Sequence, residues 1–262
     1  MCGDVSPRPH EGLLEKCADR LSKLEGARLC RTAEEFRAAE DAGLCAAVLG
    51  IEGAEVLDCD PRRLLQAAKI GVKILGPTWN IYNGLCGTAA EQTRKGLTAA
   101  GKEFCAEAVR LGMKLDASHA SEAAVRDMLE LFPGHVFASH SNAYAVCSHP
   151  RNISDGLFRA IAASGGVTGI NLYSPFLGEQ TADVSLAAEH IVHFSELSGD
   201  AGKHIALGCD FDGCDSFPAG IAGSKDVGLI AQELLLRGFD RQGIIDIFHD
   251  NLFGFIWERQ DK

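Results

Sequence analysis

The chain has 262 residues, 46% hydrophobic and 23% charged, so it holds enough apolar material for the core of one large domain. A formal net charge of −11 argues against nucleic acid or an anionic membrane surface as a partner, and no run approaches the roughly 18 apolar residues that a membrane-spanning helix needs. Ten scattered cysteines without a CxxC pair read as small hydrophobes in a reducing cytoplasm, not as a disulfide framework.

Residues 1–12 lack an apolar signal core and read as a poorly ordered lead-in to one domain spanning 1–262. Six apolar runs follow: CAAVLGIEG (45–53), GVKILGPTW (71–79), KLDASH (114–119), HVFASH (135–140), GVTGINLY (166–173) and HIALGCDFDG (204–213). Several are nearly continuous in apolar residues, as parallel strands buried on both faces are. Amphipathic stretches lie between them. In LTAAGKEFCAEAVRLG, helical spacing predicts one face made of Leu97, Ala100, Phe104, Ala108 and Leu111. SEAAVRDMLELF, ISDGLFRAIAAS and VSLAAEHIVHFSELS read the same way, and the tail RQGIIDIFHDNLFGFIWERQ reads as a closing helix. Gly71, Gly112, Gly134 and Gly165 stand where helices should end. The repeated strand–helix alternation predicts a parallel α/β sheet or barrel.

Polar residues gather at the C-terminal ends of the runs: Glu52, Trp79, His119, His140, Asn171 with Tyr173, and Asp210 with Asp212. In α/β barrels that rim carries the chemistry, because strands hold the converging loops rigidly. Glu52, His119, His140 and Asp210 have the composition of a divalent metal site, and imidazole with carboxylate suits zinc. A carboxylate buried on an apolar strand would need a cation or hydrogen-bond donors, since burying it alone costs several kcal/mol. Each residue taken singly also fits a satisfied polar group at a strand end. The four together favour a metal.

The segments GIEG, LTAAGKEF, DASHAS, ASHSNAYAVCSHPRN, GINLY and GCDFDG, in this order, resemble the membrane dipeptidase (renal dipeptidase-like) family of zinc peptidases. The resemblance runs from about residue 17 to the C-terminus. It implies a TIM-like (β/α)8 barrel of the amidohydrolase type. It also implies hydrolysis of small dipeptides, often with a C-terminal D-residue, by a metal-bound hydroxide. Glu52 matches the carboxylate that bridges two zinc ions, and His119 and His140 match the histidines of the second zinc. Arg151 matches the arginine that takes the substrate's free carboxylate, for which a guanidinium fork is well shaped. Asp210 matches the acid that passes a proton to the leaving amine. Trp79 stands where animal members carry a histidine, and Asn80 beside it belongs to the pocket lining. His149 has no matched role. The remaining histidines read as structural or exposed.

The family's first zinc is held by a His-x-Asp motif that this sequence lacks; His10 is followed by Glu11 and Gly12. Residues 13–35 resemble the helix after the family's second strand, so the first two strands are expected to be missing. One zinc ion or fewer is then expected. A barrel cut from eight strands to six leaves open edges, which invite a homodimer. The alternatives are a truncated or non-catalytic member of the same fold and another metal-dependent amidohydrolase acting on a cyclic amide or lactone. Arg151 favours a dipeptidase over the last.

Overall fold

A computed structural model describes residues 12–178 and 182–258. The lead-in expected to be poorly ordered lies outside it, except for Gly12, and so does His10. The fold is α/β with parallel strands, and it divides into two compact units, Met1–Ala124 and Val125–Lys262.

In the first unit, helix α1 (Leu13–Ser22) leads to strand β1 (Ala27–Leu29), helix α2 (Ala33–Asp41) and strand β2 (Cys45–Ala47), which pairs in parallel with β1. Residues 13–35, which resemble a single helix in sequence, hold one helix, a strand and the start of a second helix. Gly26, with φ 79°, ends that pattern, and Thr32 caps a new helix by accepting the Glu35 N–H. A further correction concerns the run 45–53. It is two strands, β2 and β3 (Leu49–Glu52), and β3 pairs with β4 (Val72–Gly76) through a register shift between Leu49 and Gly50. Helix α3 (Leu64–Ile70) precedes β4 and ends at Gly71, φ 114°, where a β-carbon would press on the Arg31 side chain. Strand β5 (Lys114–Asp116) adds to β4 in parallel.

Helix α4 (Ala99–Arg110) starts at Thr98, whose hydroxyl accepts the Gly101 N–H at 3.0 Å. Its inner face is Gly101, Phe104, Cys105 and Ala108, whereas Ala100, read from the sequence as inward, is exposed. Spacing alone could not separate the neighbours 100 and 101. The close approach of the Leu85 carbonyl does, because a β-carbon at 101 would collide with it. Helix α5 (Glu122–Leu131) follows β5.

In the second unit, strand β6 (Val136–Phe137), helix α6 (Asp155–Ala163), strand β7 (Thr168–Ile170), helices α7 (Ser174–Leu177) and α8 (Val184–Ser198), strand β8 (Ile205–Leu207) and helix α9 (Gly228–Leu236) follow in order. β7 and β8 pair in parallel, and Ala138 just after β6 bridges to Thr168 in the same sense. Ser154 and Asp183 cap α6 and α8. Phe158 of α6 stacks on Phe194 of α8 with centroids 4.1 Å apart and planes 4° from parallel, in a core that includes Leu172, Ile191, Ile205 and Ile230.

Two glycines set how tightly this unit closes. A β-carbon at Gly169 on β7 or at Gly208 just after β8 would collide with the Ser139 carbonyl. Three chain segments therefore meet around Ser139 at backbone distance. The expected closing helix is instead a run of changing pitch: α10 (Arg241–Ile245), a π-helical turn at Asp246–Asp250, α11 (Asn251–Phe253) and a second π turn at Gly254–Glu258. Asn251 in this run donates to the carbonyls of Gly202 at 2.9 Å and Ile205 at 2.8 Å, fastening it to the entry of β8.

The histidines read as structural include His190, His193 and His204, which bond to Leu177 O, Asp155 and Gly166 O. Of the nine cysteines among the described residues, Cys30, Cys86, Cys105 and Cys147 are buried as expected, while Cys17 and Cys45 are exposed. Among the described residues no helix is long and apolar enough to cross a membrane.

Candidate metal and substrate site

In the first unit, β3 delivers Glu52 and β5 leads to His119. The turn after β5 is built by Asp116, whose Oδ1 accepts from the Ser118 N–H at 3.0 Å and the Ser118 hydroxyl at 2.7 Å. That local bonding turns the chain within two residues and presents His119, which is only 8% exposed. The following loop is stitched to the 85–97 segment: Ala89 N–H donates to His119 O at 2.9 Å and Ser121 N–H to Gly87 O at 2.9 Å.

His119 Nε2 lies 2.6 Å from Glu52 Oε1, and its Nδ1 lies 2.9 Å from Asn80 Oδ1. An amide oxygen only accepts, so Nδ1 carries a proton and Nε2 faces the carboxylate. Two acceptors at that distance repel unless a positive charge sits between them, either a proton or a metal ion. This arrangement fits a cation held by Glu52 and His119. Glu52 itself is 47% exposed, so the expectation of a buried strand carboxylate is corrected: water reaches it, and desolvation is not what makes it need a cation. Trp79 is 46% exposed, with its ring 6.1 Å from the His119 ring and tilted by 39°.

In the second unit, His140 follows β6 and is 8% exposed; its Nδ1 is 2.6 Å from Ser139 Oγ. With Nδ1 engaged on both histidines, Nε2 is the ligating nitrogen each would offer. Ser141 N–H donates to Gly169 O at 2.7 Å, holding the stretch against β7.

Asp210 follows β8 in the left-handed region, φ 57°, and its carboxylate is held from two sides. Asn171 Nδ2 donates to Oδ2 at 3.3 Å, and the Cys214 thiol donates to the same oxygen at 3.3 Å. Asn171 is fixed in turn. It exchanges two hydrogen bonds with Asn142, one N–H to Oδ1 at 2.9 Å and one Nδ2–H to carbonyl at 3.0 Å, and its Oδ1 accepts the Tyr173 N–H at 2.6 Å. The sequence flagged Asn171 as a strand-end polar residue without a role, and Asn142, Asp116 and Cys214 were missed. Asp116 closes β5, while Asn142 and Cys214 lie five and seven residues past the ends of β6 and β8, where no strand pattern points to them.

Arg151 is 9% exposed, so it is not a solvated loop charge. Its guanidinium carbon sits 5.6 Å from the Phe176 ring centre, and its backbone N–H donates to His149 Nδ1 at 3.2 Å. His149 packs its ring 4.4 Å from Phe176. Burial, and next the positive charge of Arg151, hold its pKa below the ordinary histidine value. It therefore stays neutral beside Arg151 at pH 7. Tyr173 meets Phe176 edge-on at 4.8 Å, and burial with Asp215 nearby raises its pKa.

Residues 15–261 match the family described as Membrane dipeptidase (Peptidase family M19). The chain belongs to the membrane dipeptidase family. It is 34% identical over 215 residues to the dipeptidase aclJ of Aspergillus oryzae, covering 80% of this chain and 50% of that protein. To an uncharacterized dipeptidase of Schizosaccharomyces pombe it is 35% identical over 186 residues, covering 68% of this chain and 44% of the other. The chain thus spans about half the length of these fungal relatives. Among solved structures, a metallo peptidase from Rhodobacter sphaeroides, liganded with a phosphinate mimic of the dipeptide L-Ala-D-Ala, superposes with a TM-score of 0.82 at 30% identity. That match covers 90% of this chain and 70% of the other. The family is one of metal-dependent peptidases, and the parallel α/β fold is the one its solved members share.

Proposed function

We propose that this chain is a zinc-dependent dipeptidase of the membrane dipeptidase family, forming one domain over its matched length and acting in the cytoplasm. The observation that carries the metal reading is the Glu52–His119 pair at 2.6 Å with Nδ1 already bonded to Asn80. We assign Glu52, His119 and His140 as the ligands: one carboxylate and two imidazoles, with both histidines buried. The chemistry such an ion supplies is a lowered water pKa and polarisation of the scissile carbonyl.

The chain's own residues do the rest. Arg151, its guanidinium carbon 5.6 Å from the Phe176 ring centre, takes the substrate's terminal carboxylate in a bidentate grip and so limits substrates to two residues. Asp210, fixed by Asn171 and Cys214, accepts a proton from the attacking water and hands it to the leaving amine. Trp79 walls the His119 side of the pocket and Asn80 steadies His119. A D-residue at the C-terminal position is the preferred product side, supported by the dipeptide mimic bound to the bacterial relative. One zinc ion or fewer per chain, and a homodimer, complete the reading.

The test compares a zinc-supplemented assay of L-Ala–D-Ala with its C-terminal amide, for the parent and for Arg151→Ala. The parent should strongly prefer the free acid. Arg151→Ala should lose about 2–5 kcal/mol of that preference, the usual cost of breaking a buried charge-assisted pair. Equal turnover of acid and amide by the parent would remove the case for a dipeptidase. Metal analysis showing two tightly held zinc ions per chain would overturn the stoichiometry.

A further inference from the structure

We propose that Asn80 is a positioning residue that fixes the tautomer of His119 and thereby aims its Nε2 lone pair at the cation, an inference that rests on the metal reading above. The contact of Asn80 Oδ1 with His119 Nδ1 is 2.9 Å, an ordinary N–H to O distance. Imidazole has two faces of opposite character once one nitrogen is protonated. A fixed acceptor on Nδ1 keeps Nε2 a donor of its lone pair to a metal, and makes that nitrogen more basic. With the amide turned over, its NH2 would face Nδ1. The ring would then carry its proton on Nε2, pointing at Glu52, and could not ligate there.

Asn80 is placed to hold the ring in one state. It follows Trp79 on the loop after β4, and its carbonyl accepts the hydroxyl of Thr88 at 3.2 Å. Thr88 is fully buried, pairs across to Ala120, and also accepts the N–H groups of Ala90 at 3.1 Å and Glu91 at 2.7 Å. The same segment is bonded to His119 through Ala89 N–H. Residue 80 and residue 119 are thus tied to one short piece of backbone, and the amide has a defined height and distance from the ring. Trp79 covers the ring at 6.1 Å beside it. The histidine is clamped at its edge and on one side while Glu52 meets the other nitrogen.

Zinc affinity, read by competition with a chromophoric chelator, tests this on four proteins: the parent, Asn80→Ala, Asn80→Asp and His119→Ala. Circular dichroism checks that each is folded. Asn80→Ala should weaken zinc binding by about 10–100-fold, as loss of an outer partner of a metal histidine does. Asn80→Asp keeps an acceptor at Nδ1 and should bind at least as tightly as the parent. Nitrogen-15 spectra of the zinc-loaded parent should show the His119 proton on Nδ1. If His119→Ala loses zinc but Asn80→Ala does not, the role of Asn80 is overturned and the metal reading survives. A proton found on Nε2, or Asn80→Asp binding as poorly as Asn80→Ala, overturns it too. If His119→Ala binds as the parent does, or if the parent binds no zinc, the metal reading falls and takes this proposal with it.

Discussion

A single oxygen, Oδ2 of Asp210, receives both the Asn171 amide and the Cys214 thiol, so the orientation of the proposed proton carrier depends on these two neighbouring side chains. Asn171→Ala should lower kcat by about 10-fold or more with little change in KM, because misplacing a reacting group by an ångström costs rate and not affinity. Steady-state kinetics on one dipeptide would show it; a change confined to KM would mean that Asn171 binds substrate instead. A different residue governs stability against acid. His190 is fully buried, accepts the Ala143 N–H at Nδ1 and bonds Leu177 O through Nε2, and burial first of all brings its pKa down to about 4. The unfolded chain takes up this proton near pH 6.5 and the folded chain does not. The stabilisation is therefore whole above 6.5 and drains away as pH falls from there toward 4, by about 3 kcal/mol. Urea midpoints measured across that interval should fall more steeply for the parent than for His190→Gln. At this scale the sequence was legible in where residues stand: Glu52 closes β3, and His119, His140 and Asp210 each follow a strand by three residues. It was mute about Asn142 and Asp116, whose importance lies in bonds to backbone that appear only when loops are folded.

Glycines carry the comparable information for whole strands and helices. Gly169 and Gly208 let β7 and the end of β8 approach the Ser139 carbonyl, and Ser139 in turn holds His140. Gly169→Ala or Gly208→Ala should each destabilise the protein by about 1–3 kcal/mol or more through overpacking, and should reduce zinc uptake by shifting residue 139. Gly101→Ala makes a sharper test. An alanine in a helix ordinarily gains about 1 kcal/mol over glycine, yet here the Leu85 carbonyl occupies the space, so the midpoint should drop. An unchanged or raised midpoint would mean that α4 can slide away. Helices α4, α6 and α8 were readable from their 3.6-residue period. Strand β1 was not, because three residues, one of them an exposed arginine, give too short a pattern to stand out from a helix on either side. The register shift before Gly50 has no mark in composition at all.

Over the whole molecule, the family match extends from residue 15 to 261 and so takes in both compact units. The formal charge of −11 then becomes a kinetic property. Dipeptides with a surplus negative charge should meet repulsion at low salt. Their kcat/KM should rise as ionic strength goes from about 10 mM to about 150 mM, shortening the Debye length from about 30 Å to about 8 Å. Dipeptides of no net charge should respond little; an equal response would trace the effect to the protein's own stability. The left-handed backbone at Asp210 bears on how this chain could be engineered. Asp210→Gly would relax a conformation that costs a side-chain-bearing residue about 1–2 kcal/mol. A library screened for heat resistance alone would therefore enrich that replacement and recover hardy proteins that lack the proposed proton carrier. Only a screen that also demands turnover would keep the aspartate, so durability and usefulness pull this one position in opposite directions.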